Sequence, residues 1–163
     1  MKRGYKQQYN LPLLVLFIGI CQFAGIIGSL FTFSAIPTWY VTLTKPIFSP
    51  PNWLFGPAWI LLYTLMGIAA YLIWQKGYTK SKIREALGFF SVQLVLNSLW
   101  SIIFFGFHSP LVALFEIFML WTAILATIYK FYPLSKPAAY LLFPYLAWVT
   151  FATILNAAIV FLN

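Results

Sequence analysis

Five stretches of this chain, roughly 11–33, 53–75, 86–107, 110–130 and 138–162, are apolar runs in which only Glu116 and Lys130 carry a charge. Each is about as long as the ~20 residues a helix needs to cross a bilayer. Backbone in hydrocarbon must satisfy its own hydrogen bonds, which leaves helices or a closed barrel. A barrel demands alternating apolar and polar residues, and no run shows that alternation. The expectation is an all-α integral membrane protein, a bundle of five transmembrane helices. Composition agrees: 63% of the 163 residues are hydrophobic and 7% charged, where a soluble domain carries about a quarter charged residues. The length suits one domain over 1–163. The first run, after MKRGYKQQYN, is longer than the ~7–15 residues of a cleavable signal core, so it reads as a retained span.

Charge placement orients the bundle. Five spans put the N-terminus, the 76–85 loop and the 130–137 loop on one side. That side holds Lys2, Arg3, Lys6, Lys76, Lys80, Lys82, Arg84, Lys130 and Lys136, leaving Lys45 alone on the other. By the positive-inside rule the N-terminus is cytoplasmic and the C-terminus outside. The net charge of +8 thus reports topology, and no basic patch with interleaved aromatics marks a nucleic-acid partner. Cys21 is the one cysteine and His108 the one histidine, so neither a disulfide within the chain nor a metal cluster is expected.

Gln22, Gln93, Asn97, Glu116 and Asn156 interrupt the spans. Polar groups at that depth face the bundle interior and mark candidate sites, although they also serve to hold helices together. Glu116 has no Lys or Arg in the middle of any span to pair with. Helical spacing aligns Trp59, Tyr63, Met66 and Ala70 on the second run, Gln93, Asn97, Trp100 and Phe104 on the third, and Tyr145, Trp148, Ala152 and Asn156 on the fifth. For straight helices, Trp59, Glu116 and Asn156 lie about 9–10 Å from their outer ends, Tyr63, Asn97 and Ala152 about 15 Å, and Trp148 about 21 Å. Aromatic walls, a few amides and a small residue at matching depth suit a large planar apolar ligand. Ala24-x-x-x-Gly28 and Gly25-x-x-x-Ser29 fit close helix packing, within the chain or across a dimer.

The stretch 37–59 holds five prolines and three tryptophans. Its pattern, Trp39-Tyr40-x-x-Leu43-x-Lys45-Pro46-x-x-x-Pro50-Pro51-x-Trp53-x-Phe55-Gly56-Pro57-x-Trp59, resembles the first loop and second helix of the TspO/MBR family, the tryptophan-rich sensory proteins and translocator proteins. Gln93-x-x-x-Asn97-x-x-Trp100-Ser101 and Pro144-Tyr145-x-x-Trp148-x-x-Phe151-Ala152-x-x-Leu155-Asn156 agree with the same family. The resemblance implies a homodimer in a bacterial cell membrane that binds porphyrins and related tetrapyrroles, with benzodiazepine-site ligands and sterols as further classes. It puts the ligand site on Tyr40, Trp59, Tyr63, Asn97, Trp100, Trp148 and Ala152, with Glu116 as counterpart of an acidic residue in the family's fourth helix. Trp39, Lys45, Pro46, Pro50, Pro51 and Trp53 would form a stiff lid above it. The end of the chain, ATILNAAIVFLN, lacks the aromatic-then-basic sterol pattern of the mitochondrial members, which favours tetrapyrroles.

The expected function is therefore ligand binding for sensing, buffering or transport, with no cofactor and no catalytic group. The chain shows no nucleophile–base pair and no phosphate loop. Two alternatives remain: light-dependent porphyrin degradation through oxidisable Trp59 and Trp148, and a proton-coupled exporter using Glu116.

Overall fold

The computed structural model describes residues 10–163, so the basic residues at positions 2, 3 and 6 lie outside it. Helix α1 spans Leu11–Ala35. The Asn10 side chain caps it by accepting from Leu13 N at 3.2 Å, and the Asn10 backbone N–H donates to Tyr71 Oη at 2.8 Å. A loop containing a 3-10 turn at Tyr40–Thr42 and another at Asn52–Leu54 leads into α2, Phe55–Trp74. Pro57 stands in the first turn of α2, where the N–H it lacks has no helical partner anyway. A turn with Gly77 at φ 108° connects to α3, Ser81–Ser101. Then follow α4, Pro110–Phe131; a short α5, Lys136–Tyr140; and α6, Phe143–Leu162. Five helical segments are long and apolar enough to span a membrane: Leu11–Ala35, Asn52–Trp74, Ser81–Gly106, Pro110–Phe131 and Lys136–Leu162. Among the described residues there is no strand.

Three departures from the sequence reading have local causes. The third span begins five residues earlier than 86, because Ile83 and Ala86 already bury one face of the first turns. Its other end passes into a π-helical turn, Ile102–Gly106, closed by Phe107 N donating to Ile102 O at 2.9 Å. The last span breaks at Leu141–Leu142, because Pro144 has no N–H for Tyr140 O and its ring would crowd that carbonyl.

The slant of α1 organises the bundle. Near the basic end its backbone lies against α2: a Cβ on Gly67 would sit 2.5 Å from Ile18 Cα. Toward the proline loop it lies instead against α3 and the π-turn. Ser98 Oγ donates to Ala24 O at 2.9 Å, a Cβ on Gly28 would meet Ser101 Oγ at 3.0 Å, and one on Gly106 would meet the Phe31 ring at 2.8 Å. Ala24 and Gly28 of α1 thus pack against α3 within the chain. The basic half is densely filled, with Met66, Ala69, Ala70, Ile73, Ala86 and Phe131 all fully buried. The other half, where α1 and α2 part, is not.

Candidate ligand-binding chamber

That parting leaves a cavity of about 280 Å³ between α1, α2, α3 and α6. Its aromatic walls are Trp59 and Tyr63 from α2, Trp100 from α3, Trp148 from α6, Phe105 from the π-turn and Tyr40 from the loop. Ala152 supplies a gap in the wall of α6, and the same face opens into an adjoining void of about 30 Å³ bounded by Phe104, Phe151 and Asn156. Among the described residues, no charged side chain lines either space.

The rings hold one another in fixed attitudes. Trp59 stacks on Tyr63 with centroids 5.4 Å apart and stands edge-on to Trp148 at 6.4 Å and 83°. Phe55 meets Trp148 edge-on at 6.1 Å, and Trp100 stacks on Phe104 at 5.1 Å while meeting Phe105 at 89°. Such offset and T-shaped pairs are each worth about 0.5–1.5 kcal/mol beyond area burial, so the walls are preorganised. Gly25 makes room for this: a Cβ there would lie 2.4 Å from the Tyr63 ring.

Polar groups sit behind the walls. Tyr63 donates its hydroxyl to Asn97 Oδ1 in a short buried hydrogen bond, and Asn97 Nδ2 donates to Tyr145 Oη at 3.0 Å. Trp100 Nε1 donates to Asn156 Oδ1 at 3.2 Å, and Asn156 Nδ2 donates to Pro110 O at 2.8 Å. On the open side, Gln22 Nε2 bridges Ile60 O at 2.9 Å and Thr64 Oγ1 at 3.1 Å, closing the α1–α2 seam below the chamber. Replacing Asn97 with Leu strands the Tyr63 and Tyr145 hydroxyls in the core. At about 1–3 kcal/mol for each stranded group, the expected result is a thermal midpoint lowered by several degrees and a loss of near-ultraviolet tyrosine ellipticity. An unchanged midpoint would show that the two phenols find other partners.

Of the expected site residues, Tyr40, Trp59, Tyr63, Trp100, Trp148 and Ala152 line the chamber. Asn97 acts one layer back, through Tyr63. Glu116 does not reach the wall; it is 2% exposed, and its carboxylate oxygens have no hydrogen-bond partner among the described residues, as is also true of the Gln93 amide. In the loop, Trp39 stacks on His108 at 4.5 Å and 19°, and His108 occupies a positive-φ turn at 51°. Lys45 Nζ lies 4.3 Å from the centroid of the Tyr40 ring. Burial pushes the Tyr40 phenol up from its usual range, opposed by a hydrogen bond with Ser49, so it stays neutral on the wall. Pro46 and Pro50 are half-buried, Pro51 is exposed, and Trp53 is 71% exposed, away from the chamber. The loop is fastened to the end of α6: Thr44 N donates to Asn163 Oδ1 at 2.9 Å and Asn163 Nδ2 to Thr44 O at 3.0 Å. Gly25, Phe55 and Phe105 were not among the expected residues. Phe55 stands within the loop motif and Gly25 within a small-residue pair, whereas Phe105 turns inward only because of the π-turn.

The model of the TspO/MBR family matches residues 17–162. The chain belongs to the TspO/MBR family. It is 50% identical over 139 residues to the tryptophan-rich protein TspO of Archaeoglobus fulgidus, covering 85% of this chain and 89% of that one. It is 41% identical over 132 residues to the human translocator protein, covering 80% and 78% respectively. The protein CrtK of Rhodobacter capsulatus is 35% identical over 154 residues, 94% of each chain. Family membership and the five apolar helices together make this an integral membrane protein, and its Trp59, Trp100 and Trp148 converge on one cavity.

Proposed function

We propose that this TspO/MBR protein binds a planar tetrapyrrole of the porphyrin class in the chamber, for sensing, buffering or transport. The observation that carries the reading is the convergence of three indoles and two phenols on one uncharged cavity. Flat π-surfaces held edge-on and face-on to one another grip a flat ring better than a flexible chain. At about 280 Å³ the chamber is at the small end of ligand pockets, which run to roughly 300–1,000 Å³. A whole tetrapyrrole therefore also occupies the α1–α2 seam, where Ile26 and Ile60 are exposed beside Ser29 and Gly56. Lys45, over the Tyr40 ring that lines the chamber, would meet a ring carboxylate, a contact sterols cannot make. On the positive-inside count the loop faces outward and the N-terminus the cytoplasm, and the working assembly is a homodimer in a bacterial membrane.

The test is a side-by-side titration of protoporphyrin, haem and cholesterol into detergent-solubilised protein, read by porphyrin absorbance and, for the sterol, competition. Saturable protoporphyrin binding is expected, weakened about tenfold in Trp148→Ala, the factor for about 1.4 kcal/mol of lost contact. Equal affinity of the variant would remove the chamber from the reading.

The right-angled Trp59–Trp148 pair favours one second reading, in which the excited porphyrin and dioxygen oxidise the ligand beside these electron-rich indoles. Illumination with protoporphyrin, followed by mass spectrometry, separates degrader from binder. A product no more abundant than in the protein-free control dismisses the degrader.

A further inference from the structure

The slant of α1 opens a second gap, on its other edge and at the other end of the bundle. Where α1 leans on α2 at Gly67, it leaves α3, and a groove of about 410 Å³ lies between them. Its floor and sides are mainly apolar: Phe17, Ile20, Leu87, Phe90 and Leu94, with Cys21 among them, Gly88 adding no side chain, and Ser91 turning its hydroxyl to Leu87 O at 2.9 Å. Its mouth is different. Arg84 stands there beside Tyr78 and Trp74. Arg84 is exposed, and its guanidinium makes a long hydrogen bond of 3.4 Å from Nη1 to Thr79 O. From Arg84 to Leu94 is ten residues of helix, about 15 Å at 1.5 Å per residue, half of the ~30 Å hydrocarbon core. The groove is one leaflet deep, with its cation at the headgroup level.

We propose that this groove is a binding site for a phospholipid with an anionic headgroup, its phosphate on Arg84 and one acyl chain between α1 and α3. Charge complementarity selects that occupant. The α2–α3 connection and the first turn of α3 carry Lys76, Lys80, Lys82 and Arg84, and among the described residues the one nearby carboxylate, Glu85, is taken by Lys130 at 2.6 Å. Arginine matches a phosphate with two parallel donors, and tyrosine and tryptophan favour the interface. A second copy in the same orientation would bring its own cations to this mouth and repel. The neighbouring cleft at Lys82 and Lys130 contains the Glu85 carboxylate itself, which would face and repel a phosphate there. The proposal is independent of what fills the chamber.

Native mass spectrometry of purified protein titrated with phosphatidylglycerol or phosphatidylcholine tests it. One phosphatidylglycerol should be retained about fivefold better than phosphatidylcholine, the factor one surface cation supplies. Arg84→Gln should bring that preference close to one, and Lys82→Gln should leave it largely intact. A Cβ on Gly88 would meet nothing within 4 Å, so Gly88→Leu can extend into the groove and should remove both lipids. Thermal midpoints of the variants verify that they fold. No headgroup preference in the unaltered protein would overturn the proposal, as would retention unchanged in Arg84→Gln and Gly88→Leu. A Gly88→Leu variant that dissociates dimers while keeping its lipid would give the groove to a second copy and equally overturn it.

Discussion

Gly67→Leu should yield a protein that no longer holds α1 against α2, with a broadened or absent thermal transition and early elution as aggregate. The reason is backbone, not side chain. A Cβ on Gly67 would lie 2.5 Å from Ile18 Cα and 2.8 Å from Ile18 N. Main-chain atoms cannot rotate aside, so the whole of α1 must move. Overpacking a filled interior costs about 1–3 kcal/mol and occasionally more. Gly67→Ala should therefore already lower the midpoint by several degrees, and Leu should exceed it. Gly19→Ala provides the contrast: its Cβ meets nothing within 4 Å, and alanine is the better helix former by about 1 kcal/mol, so that variant should be at least as stable as the parent. A Gly67→Leu variant with the parent's midpoint would mean that α1 and α2 are not in the contact described.

Ala152→Trp should abolish porphyrin binding while sparing the fold, with affinity reduced by about a hundredfold or more, roughly 2.7 kcal/mol. Ala152 is half-buried and borders both the chamber and the smaller void beside Asn156. An indole there takes the space the ligand's ring requires, and existing cavity receives it, so no packed neighbour has to shift. Two readings distinguish occlusion from damage: near-ultraviolet circular dichroism should stay native-like, and Trp148→Ala in the same background should recover part of the affinity by returning volume. Undiminished binding by a folded Ala152→Trp protein would place the ligand elsewhere.

The spans were legible because hydrocarbon enforces length and the exclusion of charge, and both are visible in residues 11–33 without any knowledge of partners. The aromatic stripes were legible because helix spacing aligns Trp59 with Tyr63 and Trp148 with Ala152. Relative depth was not. Counting from helix ends set Trp148 about 12 Å deeper than Trp59, yet their rings meet at 6.4 Å. The helix ends are not level: α6 rises to the loop, where Asn163 clasps Thr44, so its residues stand higher than the count supposes. The inward turn of Phe105 follows from an i→i+5 hydrogen bond that no residue type announces. The participation of α1 was hidden for another reason. Its lining residues include the small or polar Gln22, Gly25, Ser29 and Thr32, and they form no aromatic stripe.

Because α1 approaches its neighbours most closely at glycines, one wall of the chamber is held by contacts that never meet the ligand. Gly67, Gly28 and Gly106 thus act as the hinges of a door frame. A small substitution at any of them changes no lining residue's identity but lets the frame move, and the ligand must then supply the ordering that the fold no longer does. Weak binders selected at random from this family should accordingly map to two places: the aromatic lining itself, and the glycines along the far edge of α1.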